Sequence, residues 1–404
     1  MKILILGAGP AGLTVANKCQ SRGGDVLVLE AGNEAGGLCR SCIVDNAPLD
    51  IGGGHFLDVR NESVVDFLFS FMPKDEWNIF SRKSLIKIDG NYIAHPFEAN
   101  IWQMDIDSQV EYLESIACAG ANTSVEQPSK FIDWIYWKLG KKIADAYMIP
   151  YNKKMFGENL ENLGTYWLSK LPSVSFRETI KSCLEHKAYG TQPGHARFYY
   201  PKTFGYGELW KRMAKKLGNR IKYNAKVCEI DFLNKIVKTA EGNTYQADLI
   251  ISTIPWVEFT KLHGLPEELH VGISRLKHTS VKIEYFSDKM NTDAHWIYYP
   301  DLKLPYHRIL VRHNFCLDSR GYWTETNTER ETNISENSLF SYINKYAYPL
   351  NTVDKPHIMD QLLAWTSERG VIGLGRWGEH RHYNSDMTVE KALELSERIF
   401  RNEL

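Results

Sequence analysis

Gly7-Ala8-Gly9-Pro10-Ala11-Gly12 follows the apolar run Ile3-Leu4-Ile5-Leu6 and opens a helically spaced segment that runs from Pro10 to Cys19. A G-x-G-x-x-G between strand and helix has a physical reason at each glycine. Gly7 permits the tight turn, Gly9 lets the backbone approach a pyrophosphate, and Gly12 lets helix and strand pack closely. The phosphates then rest against a helix N-terminus, whose open N–H groups favour negative charge. Val26 to Leu29 reads as a second buried strand with Glu30 at its end, placed to accept hydrogen bonds from ribose hydroxyls. Gly36-Gly37 comes next, with Arg40 three residues further on. A second glycine turn with a cation suits the far phosphate of a longer dinucleotide such as FAD. Asp50-Ile51-Gly52-Gly53-Gly54-His55 adds bare backbone beside an imidazole, where Gly53 and Gly54 would let a flat ring lie against the chain.

Other chemistry is thinner. Cys39-Arg40-Ser41-Cys42 is a C-x-x-C, open to two readings: a redox dithiol, or small apolar side chains packed around the loop. No second pair completes a zinc site. His380 and His382 lack a third ligand, so no metal is expected. No nucleophile elbow, P-loop or H-E-x-x-H motif occurs.

These residues need elements to position them. The 404 residues are 43% hydrophobic and 24% charged, enough for two or three domains. A formal charge of -1 offers no global field for nucleic acid or an anionic membrane, so an anionic ligand needs a local cluster of cations. No apolar run reaches transmembrane length and no signal peptide precedes the first strand. With an odd cysteine count of seven, a reducing, cytoplasmic setting is expected. The pattern predicts an α/β protein: a discontinuous Rossmann-like FAD-binding fold, an inserted helical subdomain and an antiparallel-sheet substrate domain. The expected division is 1–90 with 205–260 and 370–404 for FAD, 91–204 for the helical part, and 261–369 for the sheet. A hairpin is expected at 84–93 around Asp89-Gly90, strands at 279–286, 295–299 and 307–315, and a polar loop over 320–336. The final helix is expected from about 389 to 401.

Six blocks then resemble the eukaryotic-type UDP-galactopyranose mutases, within the FAD family that also holds amine oxidases and protoporphyrinogen oxidases. His95-Pro96-Phe97-Glu98-Ala99-Asn100 resembles their Y-P-F-Q-N-N segment, and Met148 to Phe156 their R-P-Y-N-x-K-x-W segment. Arg197 to Pro201 with Gly205 to Trp210 resembles F-R-F-P and G-G-x-W; His295 to Pro300 resembles C-W-L-Y-F-P. Tyr346 to Pro349 is similar to G-Y-P, and Gly375 to Gly378 with Asn384 to Met387 to the closing G-R-F-G and N-Q-D.

The resemblance implies a pyranose–furanose mutase acting on a UDP-, dTDP- or GDP-linked sugar. Reduced FAD, recharged by a donor such as NAD(P)H, would act through N5 at the anomeric carbon, in polysaccharide biosynthesis. His55 and Arg376 would work beside the flavin, and Tyr298 and Tyr348 on the diphosphate. Gly378, Asp386 and Met387 would meet the flavin through the last helix, and Val227 completes the implied cofactor set. Phe97, Glu98, Asn100, Asn152, Phe156 and Tyr200 would line the nucleotide sugar. The family's two diphosphate arginines are replaced at the matching places by Lys170, after Trp167, and by Lys289, before Trp296; Arg197 is the compensating candidate. The family's uracil-reading glutamine is Glu98, which accepts but does not donate and suits a base presenting N–H groups, or thymine or uracil through N3–H alone. The alternative implied by the wider family is a flavin oxidase or dehydrogenase, and a third is a non-catalytic flavoprotein.

Overall fold

The computed structural model describes residues 1–404 except Val59, Gln192, Pro193, Asn402, Leu404 and the side chain of Lys170. Its first sheet is parallel and five-stranded, in the order Ile221–Lys222, Asp25–Leu29, Lys2–Leu6, Leu249–Ser252 and Val371–Gly373. The inner strands are apolar because both faces are covered. The helices Pro10–Ser21, Gly207–Leu217 and Ser385–Phe400 pack together on one face. On the other, Leu4, Leu6 and Ile250 meet a small sheet through Val227 and Ile230, and the helix Lys355–Ser367 through Leu362.

The second large sheet has seven strands, ordered Phe340–Pro349, His278–Phe286, Tyr322–Asn327, Arg308–Leu310, Trp296–Tyr298, Ser84–Ile88 and Asn91–Ala94. The hairpin near residue 90 turns at Asp89 and Gly90, both with positive φ, and pairs in parallel with Trp296–Tyr298. It thus crosses the expected 90/91 division. The helices Ile106–Ala117, Phe131–Ile143, Ile149–Phe156 and Phe176–Glu185 form a layer with a separate core around Phe97, Phe131 and Tyr147.

Three expectations need correction. Residues 320–336 are not one loop: Tyr322–Asn327 is an interior strand of the seven-stranded sheet. Its polar residues Thr324, Glu325, Thr326 and Asn327 are buried, so composition alone hides the strand. The strand expected at 307–315 spans only Arg308–Leu310, because the chain turns at Arg312, whose buried guanidinium donates to the carbonyls of Val44 and Arg320. The terminal helix starts at Ser385, with Asn384 as its cap, which brings Asp386 into the first turn. The helices Glu62–Phe69 and Glu267–Arg275 lack strong sequence stop signals and are further elements of the fold.

Candidate flavin and nucleotide site

The glycine turn has the geometry its chemistry requires. Gly7 sits at φ +100, and a Cβ on Gly12 would come within 2.0 Å of the Gly7 carbonyl oxygen. Gly9 caps the helix Pro10–Ser21 without any side-chain bond, so its first N–H groups stay open to an anion. A Cβ added to Gly37 would lie 3.3 Å from the Gly9 Cα, so the two glycine turns approach backbone to backbone. Glu30 braces the first turn and the chain just after its own strand, accepting from the N–H of Ala8 at 2.7 Å and of Gly32 at 2.8 Å. Arg40 donates to the Gly37 carbonyl and the Tyr342 hydroxyl.

These residues border a cavity of about 410 Å³ that runs from Gly7, Gly9 and Glu30 past Arg40 to His55, Arg376 and Ser385. Arg376 supports the fit of a dinucleotide. Its guanidinium donates to the carbonyls of Tyr383 and Ala347, and no carboxylate among the described residues pairs with it. Burial lowers its pKa and leaves a cation in want of an anion. His55 donates from Nδ1–H to the Gly53 carbonyl at 3.0 Å. Burial first, then the nearby Arg376 charge, push its pKa down to about 4, so the imidazole is neutral at neutral pH. FAD would rest with its phosphates at the two glycine turns and its ring against Gly53, Gly54 and His55.

A cavity of about 180 Å³ leads on from His55 and Arg376 to Arg82, Tyr298, Arg308 and Tyr348. Those four also line a third cavity of about 1070 Å³, which extends to Phe97, Glu98, Asn152, Phe156, Asp386 and Met387. Cations and phenols therefore sit between the flavin end and the far end. Tyr298 receives hydrogen bonds from Arg82 at 3.1 Å and from the Trp296 indole at 2.9 Å. Arg308 pairs with Glu325, whose other oxygen accepts from the Gly54 N–H at 2.9 Å. Despite burial, Arg308, His307 and that N–H hold the Glu325 carboxyl well below the usual range. Glu325 thus ties the glycine loop to the cavity arginine.

Other expected residues lie elsewhere. Asn100 is buried and donates to the Pro96 carbonyl, and Tyr200 is buried and donates to Asp50 at 2.9 Å. Arg197 begins the middle strand of a three-stranded sheet and is exposed, as is Lys289. Val227 is buried in the apolar cluster behind the parallel sheet. Gly378 packs against that sheet, where a Cβ would come 2.2 Å from the Ser252 carbonyl oxygen. The Lys170 side chain lies outside the described residues. Arg82 and Arg308 are the Arg or Lys side chains that line both cavities among the described residues. Arg308 had a signal: a hairpin at Pro300 to Pro305 sets it opposite Tyr298, on the same face.

The comparisons bear on this geometry. Residues 5–71 match the NAD(P)-binding Rossmann-like domain, and residues 156–282 the flavin containing amine oxidoreductases. Together these two matches cover a Rossmann-like segment and a flavin-oxidoreductase segment of the chain. The fold is that of UDP-galactopyranose mutase: a crystal structure of the reduced mutase matches with a TM-score of 0.90 at 21% identity, over 99% of this chain and 96% of that one. UDP-galactopyranose mutase of Mycoplasma pneumoniae is 25% identical over 216 residues, 50% of each chain. Flavin-containing amine oxidase A of Sus scrofa is 24% identical over 288 residues, 66% of this chain and 51% of the relative. The chain thus spans about half the length of these curated relatives. No helix among the described residues is long and apolar enough to cross a membrane.

Proposed function

We propose that this chain is a flavin-dependent mutase that interconverts the pyranose and furanose forms of a nucleotide-diphosphate sugar. One observation carries the reading: Arg82, Arg308, Tyr298 and Tyr348 converge on the stretch of cavity that adjoins His55. Two guanidinium groups and two hydroxyls suit a diphosphate. Bound FAD in its reduced form supplies a nucleophilic nitrogen at the sugar. Arg308 holds the diphosphate as it leaves and returns, and its tie to Glu325 fixes where that charge sits. Neutral His55 meets the ring without adding a second positive charge beside Arg376. The likeness to the mutase fold supports this reading, as does the mutase relative. A reducing cytoplasmic setting and an NAD(P)H donor belong to the same proposal.

Dithionite-reduced protein should convert a cognate nucleotide sugar to its other ring form, read by chromatography, while oxidised protein should not. Equal inertness of both forms toward UDP-, dTDP- and GDP-sugars would overturn the proposal. The oxidase alternative draws on the amine oxidoreductase match at residues 156–282. It predicts bleaching of oxidised flavin by an amine with release of peroxide. The two cavity arginines repel a cationic amine, which favours the mutase.

A further inference from the structure

Glu98 and Lys138 face the large cavity at its far end and also line a side cavity of about 160 Å³. The side cavity opens between the helices Phe131–Ile143 and Phe176–Glu185, beside Leu139 and Phe176. Neither Glu98 nor Lys138 lines the narrow cavity that carries His55. On the reading above, the sugar must lie at the His55 end and the diphosphate at Arg308. The nucleoside is then carried to Glu98 and Lys138.

The two groups are unspent. No hydrogen bond from another residue to the Glu98 carboxylate, and no ion pair at Lys138, occurs among the described residues. The one acidic neighbour facing Lys138 from the next helix is Glu178, whose carboxylate is committed to the N–H and hydroxyl of Ser175. An acid and a base held apart on one wall form a pattern that a ligand must match.

Among the bases, that pattern has one match. A carboxylate offers two acceptor oxygens side by side. Guanine presents N1–H next to its N2 amino group, and so fills both, while its O6 acceptor lies on the other side for an ammonium. Adenine and cytosine place a ring nitrogen lone pair beside their amino group, which repels the second oxygen. Uracil and thymine flank N3–H with two carbonyls. The side cavity supplies width for a purine. We infer that Glu98 and Lys138 select a guanine nucleotide, so that the substrate is a GDP-linked sugar.

The test is calorimetric titration of the FAD-loaded protein with GDP, UDP, dTDP, CDP and ADP. GDP is expected to bind at least tenfold tighter than each of the others. Another diphosphate binding as tightly overturns the guanine assignment and leaves the mutase proposal standing. Binding of none overturns both. Glu98→Gln replaces one acceptor with a donor and should weaken GDP at least tenfold while leaving UDP within about twofold. Lys138→Met should weaken GDP severalfold. Flavin absorbance and the unliganded melting temperature report that each variant is folded. Equal weakening of GDP and UDP by Glu98→Gln would mark Glu98 as a structural residue and sink the inference.

Discussion

Arg308 and Glu325 stand opposite each other on adjacent strands, and Glu325 is almost wholly enclosed. Two charges taken from water hold one another, so removing either leaves the other uncompensated. Glu325→Gln keeps an acceptor for the Gly54 N–H but leaves Arg308 without its anion. It should cost about 3–5 kcal/mol in urea denaturation. A loss under 1 kcal/mol would mean that water already compensates Arg308. Asp50 shows the opposite sign. Its buried carboxyl, despite bonds from Ser41, Tyr200 and Tyr206, is pushed up from the ordinary 3.8 to about 6. Below pH 3.8 the carboxyl is neutral folded and unfolded, and its stabilising effect is fully present. Between those values the folded chain keeps a proton that the unfolded chain has lost. Stability is therefore lost as pH rises through 6. At about 1.4 kcal/mol for each unit, the loss is about 3 kcal/mol. Denaturant melts of the wild type and Asp50→Asn from pH 4 to 7 check it: the gap between them should widen in favour of the variant as pH rises. A gap independent of pH would refute the assignment.

At the level of elements, Gly54 connects the flavin loop to the large sheet. A Cβ there would lie 2.1 Å from the methyl of Leu310, a fully buried side chain. Gly54→Ala should cost about 1–3 kcal/mol by overpacking. Adding Leu310→Ala should give a double variant less destabilised than the two single losses added together. Simple additivity would show that the loop moves away without resistance. The need for glycine was legible in the sequence, although the structure shows sheet packing as one of its causes. The parallel strands were legible too, since Ile3 to Leu6 and Leu249 to Ile251 are apolar on both faces. Tyr322–Asn327 was not, because its buried polar residues lean on partners distant in sequence, Glu325 on Gly54 and Asn327 in part on the Met155 carbonyl. Arg308 escaped for a related reason. A search for a cation upstream of Trp296 follows chain order, whereas the cavity is assembled across strands. Tyr200 is buried against Asp50, a partner far off in sequence that no local pattern announces, whereas Asn100 bonds back to the Pro96 carbonyl four residues earlier.

Across the whole molecule, the flavin cavity is closed by residues from both ends of the sequence. Gly7, Gly9 and Arg40 meet Arg376, Ser385 and Thr388 around it, and the helix Ser385–Phe400 packs on Pro10–Ser21. A dinucleotide seated there binds the folded chain and not the unfolded one, so it should stabilise by about 2.7 kcal/mol at a hundred times its dissociation constant. Arg376 should supply part of that increment, since among the described residues its guanidinium hydrogen-bonds only to carbonyls. Arg376→Met removes the charge and keeps much of the bulk. Melting wild type and variant with and without the same FAD concentration isolates the effect, because any change in the flavin-free protein cancels from the difference. The FAD-dependent rise in Tm should shrink in the variant. An undiminished rise would show that Arg376 is held by Tyr383 and Ala347 for the sake of the fold, and that the glycine turns alone hold the cofactor.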